Sequence, residues 1–128
     1  MTPQEFVNAV RLAVFDSAVR GTIQGLESPP GRSPRSDLMA LSRWYGELTD
    51  TDREKVGNVV HMAADLAVFS FLAVLDGAAA IEPAGPKGRL ELRYRGPDGA
   101  VTDLNSEQDE DLHDLFNALK APSASWLD

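Results

Sequence analysis

The chain has 128 residues, a length that suits one domain with its own core. Its 20 acidic side chains against 12 lysines and arginines give a net charge of −8, which opposes binding to nucleic acid and to anionic membranes. The lack of cysteine excludes disulfides and thiolate chemistry. We therefore expect a single cytoplasmic domain, 1–128, whose acidity would suit a basic protein partner.

Two helices are predicted in the first third of the chain. The first runs from Pro3 to about Arg20, and Thr2 with Glu5 has the pattern of a capping box at its start. Residues 27–35 hold three prolines and are predicted to form a flexible loop. A second helix is predicted from 36 or 37 to 45. The residues of the first helix that share one face, and are expected to be buried, are Phe6, Val7, Val10, Ala13, Val14 and Ala18.

The longest predicted helix spans about 51–76, and the rest of the chain is expected to pack around it. Thr51 with Glu54 indicates a capping box at its start, and a glycine directly follows its last residue. From Met62 to Leu75, only Asp65 and one serine are polar. Because a helix this apolar must hide most of its surface, we expect it to be sheathed by the other elements.

A helical wheel separates two sides of this central helix. One side is a polar stripe of Glu54, Asn58, His61, Asp65 and Asp76. The opposite side is expected to be the deep face and holds Val56, Val60, Ala63, Ala67 and Val74. The stripe is expected to meet water along its N-terminal half and to be partly covered further on. Alternatively, Asn58, His61 and Asp65 line a polar cleft for a small molecule. If Asp65 is covered it needs an arginine partner, and the candidates are Arg11, Arg20 and Arg43.

A β-hairpin is predicted over about 89–104. Polar and apolar residues alternate before a Gly-Pro-Asp-Gly turn, which is typical of a half-buried strand. The register that places apolar side chains opposite one another pairs Tyr94 with Thr102 and Arg93 with Asp103. The second of these pairs also predicts an ion pair across the hairpin.

A final helix is predicted over about 107–120, with Ser106 and Asp109 as its N-terminal cap, and residues 121–128 form a tail. The predicted buried stripe of this helix is Leu112, Leu115, Phe116 and Leu119. An isolated hairpin is marginally stable, so it must lie against helices. The predicted fold class is therefore α+β, mostly α, with helices around a long central helix, a C-terminal hairpin and a final helix.

Motifs for catalysis and cofactor binding are missing from the sequence. No serine lies in a nucleophile elbow, and neither a phosphate-binding loop nor a dinucleotide-binding glycine motif occurs. His61 and Asp65 stand four residues apart and could supply half of a metal site, which His113 could extend. The simpler interpretation of His113 is a solvated ring among carboxylates. Because no other ligand supports a metal site, we predict no catalytic residue, no metal and no cofactor.

Charge is distributed unevenly along the chain. Residues 98–128 hold eight acidic side chains against one basic side chain. One interpretation is a solvated acidic face, and the other is a docking surface for a basic partner. The candidate partner-binding residues are Asp109, Glu110, Asp111 and Asp114. A homodimer that buries Phe69 and Leu72 is compatible with either.

Three segments, 69–77, 91–99 and 111–119, carry a resemblance to a known kind of protein. Together with Trp44 and the helix start at Thr49–Arg53, they resemble a family of small bacterial proteins of unknown function. This resemblance implies no site residues. In size and charge the chain is also similar to immunity proteins, which cap cationic toxins. We therefore expect a non-enzymatic interaction protein, immunity- or antitoxin-like. The alternative is a small-molecule-binding domain or an enzyme.

Overall fold

Helices dominate the computed structural model of the chain, which describes residues 1–119. The fold is α+β and mostly α, as the sequence predicts, and the predicted tail lies outside the described residues. In chain order the elements are α1 (Pro3–Val10), a π-helical segment (Arg11–Asp16), α2 (Ser17–Glu27), α3 (Ser36–Gly46), α4 (Asp50–Leu75), β1 (Arg93–Arg95), β2 (Val101–Asp103) and α5 (Leu112–Ala118).

The first three elements form one continuous helix over residues 3–27. Its capping box is confirmed, because the Glu5 amide donates to Thr2 Oγ1 over 3.1 Å and the Thr2 amide donates to Glu5 Oε2 over 2.9 Å. The predicted end at Arg20 is wrong, since the helix continues through Gly21 to Glu27. Packing of α2 against α3 and α4 offsets the low helix propensity of its two glycines.

The π-helical segment also changes which side chains of this helix are buried. A π-helical turn contains one residue more than an α-helical turn, so the buried face shifts by one position along the chain. Phe15 and Val19 are buried, whereas the predicted Val14 and Ala18 are exposed. The predicted face is therefore right before the segment, where Val7 is buried and Phe6 and Val10 are half-buried, and wrong from the segment onward.

Two glycines give a test of these backbone assignments. Gly21 lies in α2, and a Cβ added there would meet no neighbouring atom within 4 Å, so Gly21→Ala is expected to raise the free energy of unfolding by about 0.5–1 kcal/mol. Gly77 has φ of +77°, so Gly77→Ala is expected to lower it by about 1–2 kcal/mol. Urea unfolding followed by circular dichroism measures both, and effects of the same sign would contradict the assignment.

The central helix α4 runs unbroken from Asp50 to Leu75. Its N-cap is Thr49, whose Oγ1 accepts from the Asp52 amide over 3.2 Å, so the predicted start at Thr51 is two residues late. Its end is as predicted, with Asp76 as the C-cap and Gly77 in the left-handed conformation.

The predicted hairpin register is confirmed, with Arg93 opposite Asp103 and Tyr94 opposite Thr102. The Leu104 amide donates to the Leu92 carbonyl over 2.8 Å, which extends the pairing toward the helices. The predicted ion pair is wrong, because Arg93 instead lies 2.9 Å from Glu91 on its own side of the hairpin.

The final helix α5 is shorter than predicted. It begins at Leu112, and Ser106 instead heads a turn in which the Asp109 amide donates to the Ser106 carbonyl over 3.1 Å. We name residues 106–111 the acidic turn. The buried stripe of α5 is as predicted, with two residues buried and two half-buried. The buried core cluster consists of Val7, Phe15, Val19, Leu72, Leu112 and Phe116.

Asn105, a buried polar residue, joins α4 to the hairpin. Its Nδ2 donates to the carbonyl of Leu75 over 2.7 Å and to that of Leu90 over 3.0 Å. Its Oδ1 accepts from the Leu92 amide over 2.9 Å. The end of the central helix and the chain leading into the first hairpin strand are therefore held in register by one amide side chain.

Candidate functional site

One side of α4 is left uncovered by the rest of the described chain. Its large apolar side chains are highly exposed, at 63% for Val59, 55% for Met62, 65% for Leu66 and 62% for Phe71. Small residues lie between them, and all are exposed. We name this surface the open face, which consists of Val59, Met62, Ala63, Leu66, Ala67, Ser70 and Phe71.

The predicted sheathing of the central helix is therefore wrong, and its two sides are reversed over the middle of the helix. Ala63 and Ala67, assigned to the deep face, are exposed, whereas Val56, Val60 and Val74 of that face are half-buried. Asn58 and His61, expected to meet water, are half-buried on the side that packs against the other helices, and Asp65 further along the stripe is half-buried too. The His61 ring meets the Phe15 ring edge to face, with centroids 5.9 Å apart.

The reversal follows from how the core is filled. The side of α4 that faces the core carries Leu72, which is buried, together with half-buried aliphatic and aromatic residues of the same row. That side therefore provides enough apolar surface for packing even though it also holds His61 and Asp65. Of the arginines named as candidate partners for Asp65, Arg11 lies 3.4 Å from Asp16.

Among residues 1–119, the ligand atoms that gather with those of His113 do not include His61 or Asp65, so the composite metal site that the sequence suggests is not assembled. His61 packs on Phe15, whereas the His113 ring packs edge to face on Phe69, with centroids 5.4 Å apart. His113 lies among carboxylates as predicted, 2.6 Å from Asp76 and 3.6 Å from Asp114, but the prediction that it is solvated is wrong, because its side chain is only 14% exposed.

Asp76 holds the start of α5. Its side chain is 2% exposed, and Oδ1 accepts from the Leu112 amide over 3.0 Å. Oδ2 accepts from the His113 amide over 2.8 Å and lies 2.6 Å from His113 Nδ1. Asp111, the residue at the N-cap position, makes no side-chain capping bond. Asp76 is thus an N-cap supplied from another helix, which orients the imidazole as well.

The same junction gathers three groups that could in principle ligate a cation. Among residues 1–119, Asp76, Asp111 and His113 bring ligand atoms within 4.8 Å of one another. Both carboxylate oxygens of Asp76 already accept backbone amides of α5. The hydrogen bonds that hold the start of α5 therefore account for the arrangement of this cluster.

The candidate partner-binding carboxylates are all at the surface. Asp109, Glu110 and Asp111 lie in the acidic turn, and Asp114 lies in the first turn of α5. Within the described chain, the three residues of the turn form no ion pair, and Asp114 lies 3.6 Å from His113 Nε2. We name these four residues the acidic edge.

Arg11 is a structural residue that no local pattern in the sequence indicates. Its guanidinium lies 4.8 Å from the Phe15 ring centroid and donates to the Leu119 carbonyl over 3.3 Å. It therefore joins the π-helical segment to the C-terminal end of α5, where a cation is favoured by the helix dipole. Only the fold brings Arg11 to the Leu119 carbonyl.

A concavity of about 510 Å³ lies beside the C-terminal end of α4. Val74 and the loop over residues 77–90 line it, and this loop contributes Lys87 and Arg89. Arg89 lies 2.7 Å from Glu107 in the acidic turn. Lys87 is exposed and forms no ion pair within residues 1–119, so it is an available positive charge near one end of the open face.

Within residues 1–119, α4 is the one helix that is long enough and apolar enough to span a membrane. Only 11% of its most apolar window is buried. The side of α4 opposite Asp65 is uncharged from Val56 to Leu75, which is about 30 Å at 1.5 Å per residue and comparable with the hydrocarbon layer of a membrane. The opposite side of α4 packs on α2 and α5, so the arrangement fits a lateral contact better than a span.

Comparisons of the chain with protein-family models, with curated proteins and with solved structures find no match. The resemblance to a bacterial family therefore stays a prediction. The function has to be inferred from the surfaces described above, of which the open face is the most unusual.

Proposed function

We propose that this protein is a non-enzymatic cytoplasmic interaction protein whose main contact surface is the open face of α4. The observation that carries the proposal is the exposure of Val59, Met62, Leu66 and Phe71 on one side of one helix. These four side chains expose on the order of 400 Å² of apolar surface, a size at which the largest apolar patch of a soluble protein is often functional.

The chemistry of the open face favours a protein partner. From Val56 to Leu75 the only formally charged residue is Asp65, and it lies on the opposite side of the helix. Burial of an uncharged apolar surface releases water without leaving a charge unpaired, which is the main favourable term in protein association. A polar small molecule would find no fixed hydrogen-bonding group there except Ser70.

The acidic edge supports a second contact, with a basic protein. Asp109, Glu110, Asp111 and Asp114 are exposed and lie close together in the chain. An immunity- or antitoxin-like inhibitor of a cationic protein needs such a surface, because complementary charge accelerates association. The alternative of a cleft at Asn58, His61 and Asp65 is less favoured, since these side chains turn toward the helical core.

The experiment places a photo-crosslinking amino acid at position 66 and, as the control, at position 12. Leu12 is 66% exposed, which matches Leu66 at 65%, but it lies on the first helix. We expect illumination in the native cell to give a discrete crosslinked product, identified by mass spectrometry, from position 66 and none from position 12. No product from position 66, or equal products from both, would contradict the proposal.

A further inference from the structure

We propose that the outer edge of β2 binds an extended, basic segment of a partner protein, which adds to the hairpin as a third, antiparallel strand. This inference rests on the proposed function, because it specifies how the basic partner of the acidic edge is recognised. The residues concerned are Val101, Thr102 and Asp103, and we name them the β2 edge.

The β2 edge has backbone groups that the hairpin does not use. The sheet within residues 1–119 has two strands, so β2 has a neighbouring strand on one side only. The Leu104 amide donates to the Leu92 carbonyl, and hydrogen-bonded and non-bonded pairs alternate from there along an antiparallel ladder. The amides and carbonyls of Val101 and Asp103 therefore point away from β1, and such a row of groups can pair with another strand.

The side chains of the β2 edge define what the added strand carries. Val101 and Asp103 are two residues apart and lie on the same face of the hairpin, where both are exposed. Asp103 forms no ion pair within the described residues, since Arg93 across the hairpin lies 2.9 Å from Glu91 instead. An antiparallel third strand thus matches this face with a basic residue opposite Asp103 and, two residues later, an apolar residue opposite Val101.

Charge around the β2 edge favours a basic segment over an acidic one. Residues 98–111 hold six acidic side chains and no basic side chain. In the antiparallel alignment, the part of the added segment that precedes its residue opposite Asp103 extends toward the acidic turn. Further lysines or arginines there lie near Asp109 and Glu110, and the attraction accelerates association.

The outer edge of β1 provides an internal comparison. Arg93 and Arg95 lie opposite Asp103 and Val101 in the register, so their backbone groups point outward in the same way. Their side chains are cationic and exposed, and a basic segment would be repelled there. The two edges of the hairpin therefore offer the same backbone pattern with opposite charge, and only the β2 edge suits a basic strand.

The test titrates the full chain with the synthetic peptide Lys-Lys-Lys-Thr-Val-Thr, blocked at both ends, and follows binding by nuclear magnetic resonance. Its third lysine and its valine are placed to face Asp103 and Val101. The control peptide carries N-methyl groups on the amides of these two residues, which keeps its charge and removes two donors. We expect the unmodified peptide to bind at least about 10-fold more tightly and to slow amide exchange at Val101 and Asp103. Equal affinities would overturn the proposal.

Two proline variants test which edge is used. Val101→Pro removes an amide that the hairpin does not need and is expected to weaken binding of the unmodified peptide at least about 10-fold. Arg95→Pro removes the equivalent amide from the outer edge of β1, opposite Val101, and is expected not to weaken binding. Circular dichroism verifies that both variants remain folded, and equal effects of the two variants would overturn the proposal.

The outcomes separate this proposal from the proposed function. Equal binding of the two peptides would overturn the third strand and leave a contact through charge at the acidic edge. No binding of either peptide would overturn both the third strand and the contact with a basic protein. The open face is judged separately, by crosslinking from position 66.

Discussion

Asp76→Ala is expected to lower the free energy of unfolding by about 3–5 kcal/mol, because three buried donors lose their charged acceptor. The donors are the amides of Leu112 and His113 and the Nδ1 of His113. The side chain is 2% exposed, so water cannot replace the carboxylate without opening the junction between α4 and α5. Urea unfolding monitored by circular dichroism gives the change from the midpoint at constant m-value.

The matched control for this variant is Asp111→Ala. Asp111 occupies the N-cap position of the same helix but is exposed and makes no side-chain capping bond. Its removal is expected to lower the free energy of unfolding by no more than about 1 kcal/mol, through the helix dipole alone. If the two variants had equal effects, the cap would belong to Asp111 and the description of the junction would be wrong.

Asn105→Ala is expected to lower the free energy of unfolding by about 2–4 kcal/mol, since it leaves three part-buried backbone groups without their side-chain partner. The groups concerned are the carbonyls of Leu75 and Leu90 and the amide of Leu92. The loss should also free the hairpin from the end of α4. Amide hydrogen exchange should therefore speed up at Leu92 more than at positions within α2.

Asn117→Ala serves as the control for Asn105. Asn117 lies on the exposed side of α5, so its replacement is expected to change the free energy of unfolding by less than about 0.5 kcal/mol. A small effect at both positions would show that the amide of Asn105 does not hold the hairpin. A large effect at both would point instead to general sensitivity of the C-terminal elements.

Features determined by neighbouring residues were predictable. The capping box at Thr2 and Glu5, the left-handed glycine after α4 and the hairpin register each depend on a few residues close in sequence. A shift of the register by one residue would have placed Leu92 opposite Asp103, an apolar side chain opposite a charge. Such features are determined almost entirely by interactions between residues that are close in sequence.

The orientation of α4 could not be predicted in this way. Both sides of the helix are apolar enough to pack against other elements, so a helical wheel gives two candidate buried faces. The polar side chains are then assigned to the solvent-exposed side by default. The choice depends on which side meets Phe15, Leu112 and Phe116, and these residues lie far away in the sequence. A rule that assigns polar residues to the surface fails where another helix supplies a ring to cover them, as at His61.

Site residues that act across the fold were missed for the same reason. In the sequence Asp76 is the last member of a polar stripe, and only its hydrogen bond to Leu112, 36 residues later in the chain, reveals a cap. The acidic residues of the turn were expected to begin a helix, yet the cap from Asp76 starts α5 later. The end of one helix thus decides where the next begins.

The π-helical segment makes the first helix tolerant of a change in length. Residues 11–16 hold one residue more than ordinary α-helical winding needs, and Val7 and Phe15 reach the same core because of it. A related chain lacking one residue between these two positions would wind as a plain α-helix and present the same two side chains inward. Loss of one residue at this point would therefore leave the buried core residues unchanged. Loss of one residue within α4 would instead rotate the open face away from its present direction.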